Sequence, residues 1–367
     1  MQASRFVGRK TELKQLEAAL RAASDARGSA WLVAGESGVG KSRLLNELRI
    51  RALVQGAVVL RGEEVVEGGA PYQLWREPVR RLALSTELSD LEVGVLAEIA
   101  RDLGDLLGRA VAQAPELEVK ARQQRLTLTI ADLFRRQSAP VLLLLEDLQW
   151  SVESLEPLRQ LNLIKDELPL LIVCSYRDDE RPTLPDELPS MQKLKLERLD
   201  TESIAELSVS MLGEAGRRPQ VLDLLQRETE GNVFFLVEVV RTLAEEAGSL
   251  SDVGRLTLPR HVFAEGIQTV VRRRLQRVPE SAKELLKAAA VVGRRLDAKV
   301  LEALAPGANL DAWVTVCANV AVLGLPGREL AFCTRQTAPS HTPGPHRRRA
   351  PSLVPRGCAG HRSRLPR

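Results

Sequence analysis

The sequence predicts an α/β fold, a parallel sheet sandwiched by helices, continued by an all-helical region. Three observations predict it. Short apolar runs alternate with helical periods through the first half of the chain. A glycine-rich octet lies between the first such run and a helix. The run Val141–Leu145 is aliphatic at every position, the pattern of a strand buried on both faces.

The elements follow in order. Leu13, Leu16 and Leu20 recur at helical spacing and predict a short amphipathic helix. Ala30–Ala34 (AWLVA) reads as a strand that runs into the glycine loop, and the next helix carries Leu44, Leu45 and Leu48. Ala57–Leu60 is a candidate second strand. Residues 77–137 are mostly helical in pattern, with Leu126, Ile130 and Leu133 on one face of the last helix. Val141–Leu145 and Leu170–Cys174 are the next strands, and strands separated by helices predict parallel pairing. After about Leu199 the strands are expected to stop. Residues 200–246 read as helices broken at Gly231-Asn232, and 259–305 as further helices including Ala282–Val292.

The 367 residues suffice for two or three small domains. Four scattered cysteines suggest neither a metal site nor a disulfide framework, which fits a reducing, cytoplasmic setting. The N-terminus lacks a signal-peptide pattern, and no apolar run approaches the ~20 residues of a membrane helix. The net charge of +4 is uneven: residues 331–367 hold eight arginines and no acid, leaving residues 1–330 at −4. A basic isoelectric point is therefore no sign that the body binds nucleic acid. The segment 327–367, rich in arginine and proline, shows no apolar period and is expected to be disordered.

Gly35-Glu36-Ser37-Gly38-Val39-Gly40-Lys41-Ser42 satisfies the P-loop pattern G-x-x-x-x-G-K-[ST] in its strand-to-helix context. Glycines let successive N–H groups turn inward toward phosphate oxygens, and the following helix adds its positive end, so Gly35 to Arg43 are the expected nucleotide-binding residues. Lys41 can reach the β- and γ-phosphates, and the Ser42 hydroxyl can ligate Mg²⁺. The expected ligands are ATP with Mg²⁺. Glu146-Asp147 end the aliphatic strand, where ligands of open α/β sheets bind. One acid there can hold the metal and its neighbour can orient water. Their order does not decide the roles; the assignment made is Glu146 at the metal and Asp147 as base. Arg177 follows the next strand and either meets the γ-phosphate or pairs on the surface with Asp178, Asp179 or Glu180.

Together the motifs resemble the STAND-type ATPases of the AAA+ group, found in large LuxR-type transcriptional activators and fused to cyclases and kinases. The resemblance spans roughly residues 5–305. Phe6-Val7-Gly8-Arg9-Lys10-Thr11-Glu12-Leu13 resembles the family's opening F-V-G-R-x-x-E-L. That likeness implies adenine packing at Val7 and Gly8 and a role for Arg9. Leu145-Glu146-Asp147-Leu148-Gln149-Trp150 is similar to the aliphatic-acid-acid-x-x-W signature, with Trp150 structural. Tyr72 and Trp75 match a segment read as packing. Gly231-Asn232-Val233-Phe234-Phe235-Leu236 resembles G-N-P-F-F-L in the family's lid, with Val233 in place of proline.

The resemblance implies a P-loop NTPase domain (1–198), a helical lid (199–250) and an incomplete winged-helix-like domain (256–326). It also implies slow hydrolysis of ATP to ADP and phosphate as a conformational switch in signal transduction or transcription, working through self-association or an output domain. A scaffold that holds nucleotide without turnover and a DNA-acting replication initiator are the alternatives. From about Cys333 the sequence departs from the family, and the tail is expected to be out of frame or otherwise non-native. The rival reading makes it a basic arm for nucleic acid or acidic lipid.

Overall fold

The computed structural model describes residues 6–64, 71–247, 275–292, 295–296, 298–319, 322–324 and 330–332. Ala70, the Leu258-Pro259 start of the third domain, Arg272–Arg274 and the tail from Cys333 lie outside the described residues. The chain divides into two compact units, residues 1–270 and 271–367.

In the first unit, α1 (Lys10–Ser24) buries Leu13, Leu16, Leu20 and Ala23, one helical stripe. It leads to β1 (Ser29–Ala34), the glycine loop, and α2 (Lys41–Val54). Then come β2 (Val58–Glu63), α3 (Gln73–Ala83), α4 (Asp90–Leu96), α5 (Leu103–Leu107) and α6 (Val119–Arg135). A Ser89–Glu92 capping box starts α4 by satisfying two otherwise orphaned amides. β3 (Val141–Glu146), α7 (Leu155–Ile164), β4 (Leu170–Ser175), the short α8 (Leu184–Glu187) and β5 (Gln192–Lys195) complete the sandwich.

All five strands pair in parallel in the order β2-β3-β4-β1-β5. Their C-terminal ends therefore share one edge. β3 and β4 are buried at all six positions each. Val141, Leu143 and Leu145 face a core built with α3, α6 and α7, whereas Leu142 and Leu144 face α1 and α2. Those opposed faces are what a continuous aliphatic strand requires.

The same unit continues through α9 (Thr201–Leu212), α10 (Pro219–Thr229) and α11 (Val233–Ala247). Asp200 caps α9 by accepting the Ser203 N–H at 2.8 Å. Leu207, Leu224, Leu225, Leu236, Val240 and Leu243 form these helices' own core, with Leu199 and Val7 against it.

The second unit holds helices Glu280–Val292, Ala298–Leu304 and Leu310–Asn319 around Leu286, Ala289, Leu301, Trp313 and Cys317. The sequence reading placed no strand after Leu199, and here the structure differs. Arg295–Leu296, Leu323–Gly324 and Leu330–Phe332 form a three-stranded antiparallel sheet. Strands of two or three residues are too short to display a period of two. Leu330–Phe332 also falls inside the stretch expected to be disordered from 327; its backbone is paired on both sides.

Candidate functional site

The P-loop leaves β1, which lies between β4 and β5 in the sheet. Gly35, Gly38 and Gly40 have φ of 148°, 82° and 110°, a region side chains avoid. A Cβ on Gly38 would come within 2.7 Å of Asn232 Oδ1. Val39 is buried in the α1/α2 core and anchors the loop, while Glu36, Ser37 and Gly40 are partly exposed. Lys41, the first residue of α2, is buried and donates from Nζ to the carbonyls of Gly35 at 2.6 Å and Glu36 at 2.8 Å. Burial first, then the nearby Arg177, hold its ammonium below the usual lysine value; Asp147, Asp179 and Asp178 pull the other way. Ser42 and Arg43, in the first turn of α2, are exposed.

Parallel pairing brings the ends of β3 and β4 to the same edge. Glu146 continues the face of Leu142 and Leu144, toward α2, by the two-residue period. Its Oε1 accepts from Arg61 Nε at 2.7 Å and Nη2 at 2.5 Å. Its Oε2 is buried with no hydrogen-bond partner among the described residues. Asp147 lies in the left-handed region, φ 62° and ψ 43°, and opens a 3-10 turn, Leu148–Trp150. Its N–H donates to Ser175 Oγ at 3.4 Å. Of the two readings the sequence left open for Arg177, the structure displays the surface pairing. Arg177 pairs with Glu180, and its charge acts on Lys41. Its guanidinium lies 5.0 Å over the Trp150 ring, a cation–π arrangement. Trp150 is thus part of the site's framing as well as packing.

The N-terminal segment is fastened to the loop. Buried Arg9 donates to the Val39 carbonyl at 3.4 Å and to the Glu197 carbonyl. Gly8, φ 72°, passes so close to Leu199 that a Cβ would meet it at 2.7 Å.

The start of α11 reaches the P-loop directly. Asn232 Nδ2 donates to the Ser37 carbonyl at 2.9 Å, and the Phe234 N–H to the Gly38 carbonyl at 3.0 Å. Asn232 Oδ1 accepts the Phe234 and Phe235 N–H groups, so the side chain that touches the loop also caps α11. Val233, where the resemblance has proline, lies where a Cβ on Gly40 would meet it at 3.9 Å, ordinary van der Waals distance. Glu36 is paired with Arg198 at 2.5 and 3.0 Å, and Arg198 in turn with Glu230. The Arg198 hydrogen bond holds the Glu36 carboxyl below the usual carboxylate range, burial opposes it, and Asn232 and Lys41 assist. This tie is present above the ordinary glutamate pKa, about 4.3, and is lost as pH falls through the lowered one.

Gly231, φ 83°, packs against Leu199, whose N–H donates to the Gly231 carbonyl at 2.8 Å. A Cβ there would overlap the Leu199 carbonyl oxygen. Gly231→Ala is expected to cost about 2–4 kcal/mol from left-handed strain and overlap together. Hydrogen exchange checks it: α9–α11 amides should lose protection while β3 and β4 keep theirs. Equal protection throughout would contradict it.

Sequence reading thus missed Arg61, Gln149, Arg198 and the clasp role of Asn232. Only Arg61 left a signal, a charge directly after the apolar run Val58–Leu60.

Does this site suit Mg²⁺? Among the described residues no group of three or more His, Cys, Asp or Glu could hold a metal by itself. Mg²⁺ is commonly held by one or two protein oxygens plus phosphates and water. The orphaned Glu146 Oε2 and the exposed Ser42 hydroxyl are such hard oxygen donors, so the residues fit.

A parallel sheet sandwiched by helices, with a glycine cradle and lysine after its β1 strand, defines the class: a P-loop nucleoside triphosphatase fold. Within it, residues 5–173, a little under half of the chain, match the AAA ATPase domain family. No curated protein matches the chain. Among solved structures, it is similar to a Signal Transduction ATPase with Numerous Domains with a tetratricopeptide repeat sensor, from Pyrococcus horikoshii. The TM-score is 0.50 at 15% identity, covering 92% of this chain and 42% of that one. At that identity the likeness is one of fold. The Aeropyrum pernix ORC1 protein, solved in complex with DNA, follows with a TM-score of 0.43, 15% identity and 92% of each chain covered. The chain therefore spans less than half the length of the Pyrococcus protein. No helix among the described residues is long and apolar enough to cross a membrane.

Proposed function

We propose that this chain carries an AAA ATPase domain and is a nucleotide-operated switch in signalling or transcriptional control, which binds ATP with Mg²⁺ and hydrolyses it slowly to ADP and phosphate. The observation that carries the reading is the clasp: the lid's Asn232 and Phe234 are hydrogen-bonded to the carbonyls of the loop that would hold phosphate.

In this reading the N–H groups of Gly35 to Arg43 cradle the phosphates, and Lys41 exchanges its two loop carbonyls for β- and γ-phosphate oxygens. Val7 and Gly8 lie against the adenine, and Arg9 braces that segment on the loop. Mg²⁺, when bound, supplies Lewis-acid neutralisation of the phosphate charge, and Ser42 and Glu146 would hold it. Asp147 orients water and accepts its proton as the water oxygen bonds to the γ-phosphorus. The bond from that phosphorus to the bridging oxygen breaks, and ADP keeps the oxygen. Arg177 meets the γ-phosphate. Changes at Ser37 and Gly38 then pass through Asn232 to α11, and a partner or output domain reads the lid's position.

Single-turnover phosphate release tests it. Asp147→Asn is expected to slow hydrolysis about 100-fold or more while ATP affinity stays within a few-fold. Unchanged hydrolysis would remove Asp147 from the mechanism. A wild-type chain that binds ATP and releases no phosphate would instead support a nucleotide-holding scaffold.

A further inference from the structure

Buried Gln149 uses both ends of its amide on the two strand ends that frame the site. Its Nε2 donates to Asp147 Oδ1 at 3.2 Å, and its Oε1 accepts the Arg177 backbone N–H at 3.1 Å. Partner chemistry fixes this orientation. A backbone N–H can only donate, and an ionised carboxylate can only accept, so a flipped amide would set like against like at both ends. Gln149 therefore spans β3 and β4 as a polar strut. Two further contacts run the same way, Asp147 N–H to Ser175 Oγ and the Arg177 guanidinium over Trp150. Asp147 sits in a backbone region that L-residues rarely hold, so something must keep it there.

We propose that Gln149 is a positioning residue for hydrolysis, which locks the Asp147 carboxylate and the chain at Arg177 into one rigid unit. It touches neither water nor phosphate in this role. The inference rests on the functions proposed above for Asp147 and Arg177. Its consequence is that the group facing the attacking water and the group facing the γ-phosphate take up their positions together.

The test compares the full chain with Gln149→Leu, Gln149→His and Asp147→Asn. Single-turnover phosphate release, titration with β,γ-methylene ATP and thermal unfolding are measured for each. Gln149→Leu is expected to slow hydrolysis about 10- to 100-fold, the scale of an ångström-sized misplacement. Its affinity for the analogue should stay within about two-fold, because ground-state binding is untouched. Gln149→His carries one donor and one acceptor when neutral, and should restore much of the rate near pH 8. Protonation near pH 6.5, roughly the ordinary histidine value, turns both nitrogens into donors and removes the acceptor for Arg177 N–H. A new acid limb should appear there that wild type lacks, which a space-filling role would not produce.

Wild-type hydrolysis by Gln149→Leu overturns the proposal, and so does a parallel loss of rate and analogue affinity. If Gln149→Leu does not fold, the histidine variant decides: no new acid limb overturns it. Asp147→Asn separates the two layers. Should it hydrolyse normally, the assigned base is wrong and this inference goes with it. If it is impaired while Gln149→Leu is normal, only the strut is wrong.

Discussion

Lys41→Ala is expected to remove ATP binding at concentrations that saturate the wild-type chain. The lysine is buried at the mouth of α2, and its ammonium is held by two neutral carbonyls. Burial and Arg177 already make its charge costly to hold. A phosphate anion relieves that cost through charge-assisted hydrogen bonds worth about 1.5–3 kcal/mol each. Losing two of them weakens Kd on the order of 10²- to 10⁴-fold. Fluorescent-nucleotide titration of both proteins measures it, with thermal unfolding as the check on the fold. Equal affinity would contradict the site itself.

Trp75→Ala is expected to have the largest effect on stability. Trp75 is fully buried on α3, its ring edge-on to Phe134 with centroids 6.5 Å apart. Its Nε1 donates to the Ser154 carbonyl at 2.8 Å, tying α3 to the start of α7. Truncation leaves a cavity worth about 3–5 kcal/mol and a buried carbonyl unpaired at about 1 kcal/mol more. Such a loss rivals the roughly 5–15 kcal/mol net stability of ordinary domains. Urea unfolding followed by far-UV circular dichroism reads the change. Trp75→Phe, which keeps a ring and loses the donor, should recover most of it. A loss below about 2 kcal/mol for Trp75→Ala would show that the site collapses around the gap.

Much of the sheet could be read from composition because it is buried on both faces. β1, β3 and β4 are aliphatic runs, and each was located within a residue at either end. β5 went unnoticed because it is an edge strand: in Gln192–Lys195 only Leu194 is buried. The strand of Val58–Glu63 was cut short at Leu60 because Arg61 and Glu63 look polar in isolation. Arg61 is paired there with Glu146 on the neighbouring strand, a pairing that needs the register. The site's chemistry divides likewise. Lys41 belongs to the glycine octet, and Glu146, Asp147 and Arg177 stand at or just past strand ends, so local pattern exposes them. Gln149, Arg198 and Asn232 act across 28 to 195 residues of sequence, and no local rule pairs them.

The clasp at Asn232 has a thermodynamic corollary. Its carboxamide is divided between the end of α11 and the carbonyl of Ser37, so the helix and the loop share one free energy. Coupling of that kind is reciprocal. If nucleotide at the P-loop makes α11 harder to pull away by some factor, any load that pulls α11 away must weaken nucleotide binding by that same factor. The lid is then a force gauge as well as a cover, and nucleotide affinity is its reading.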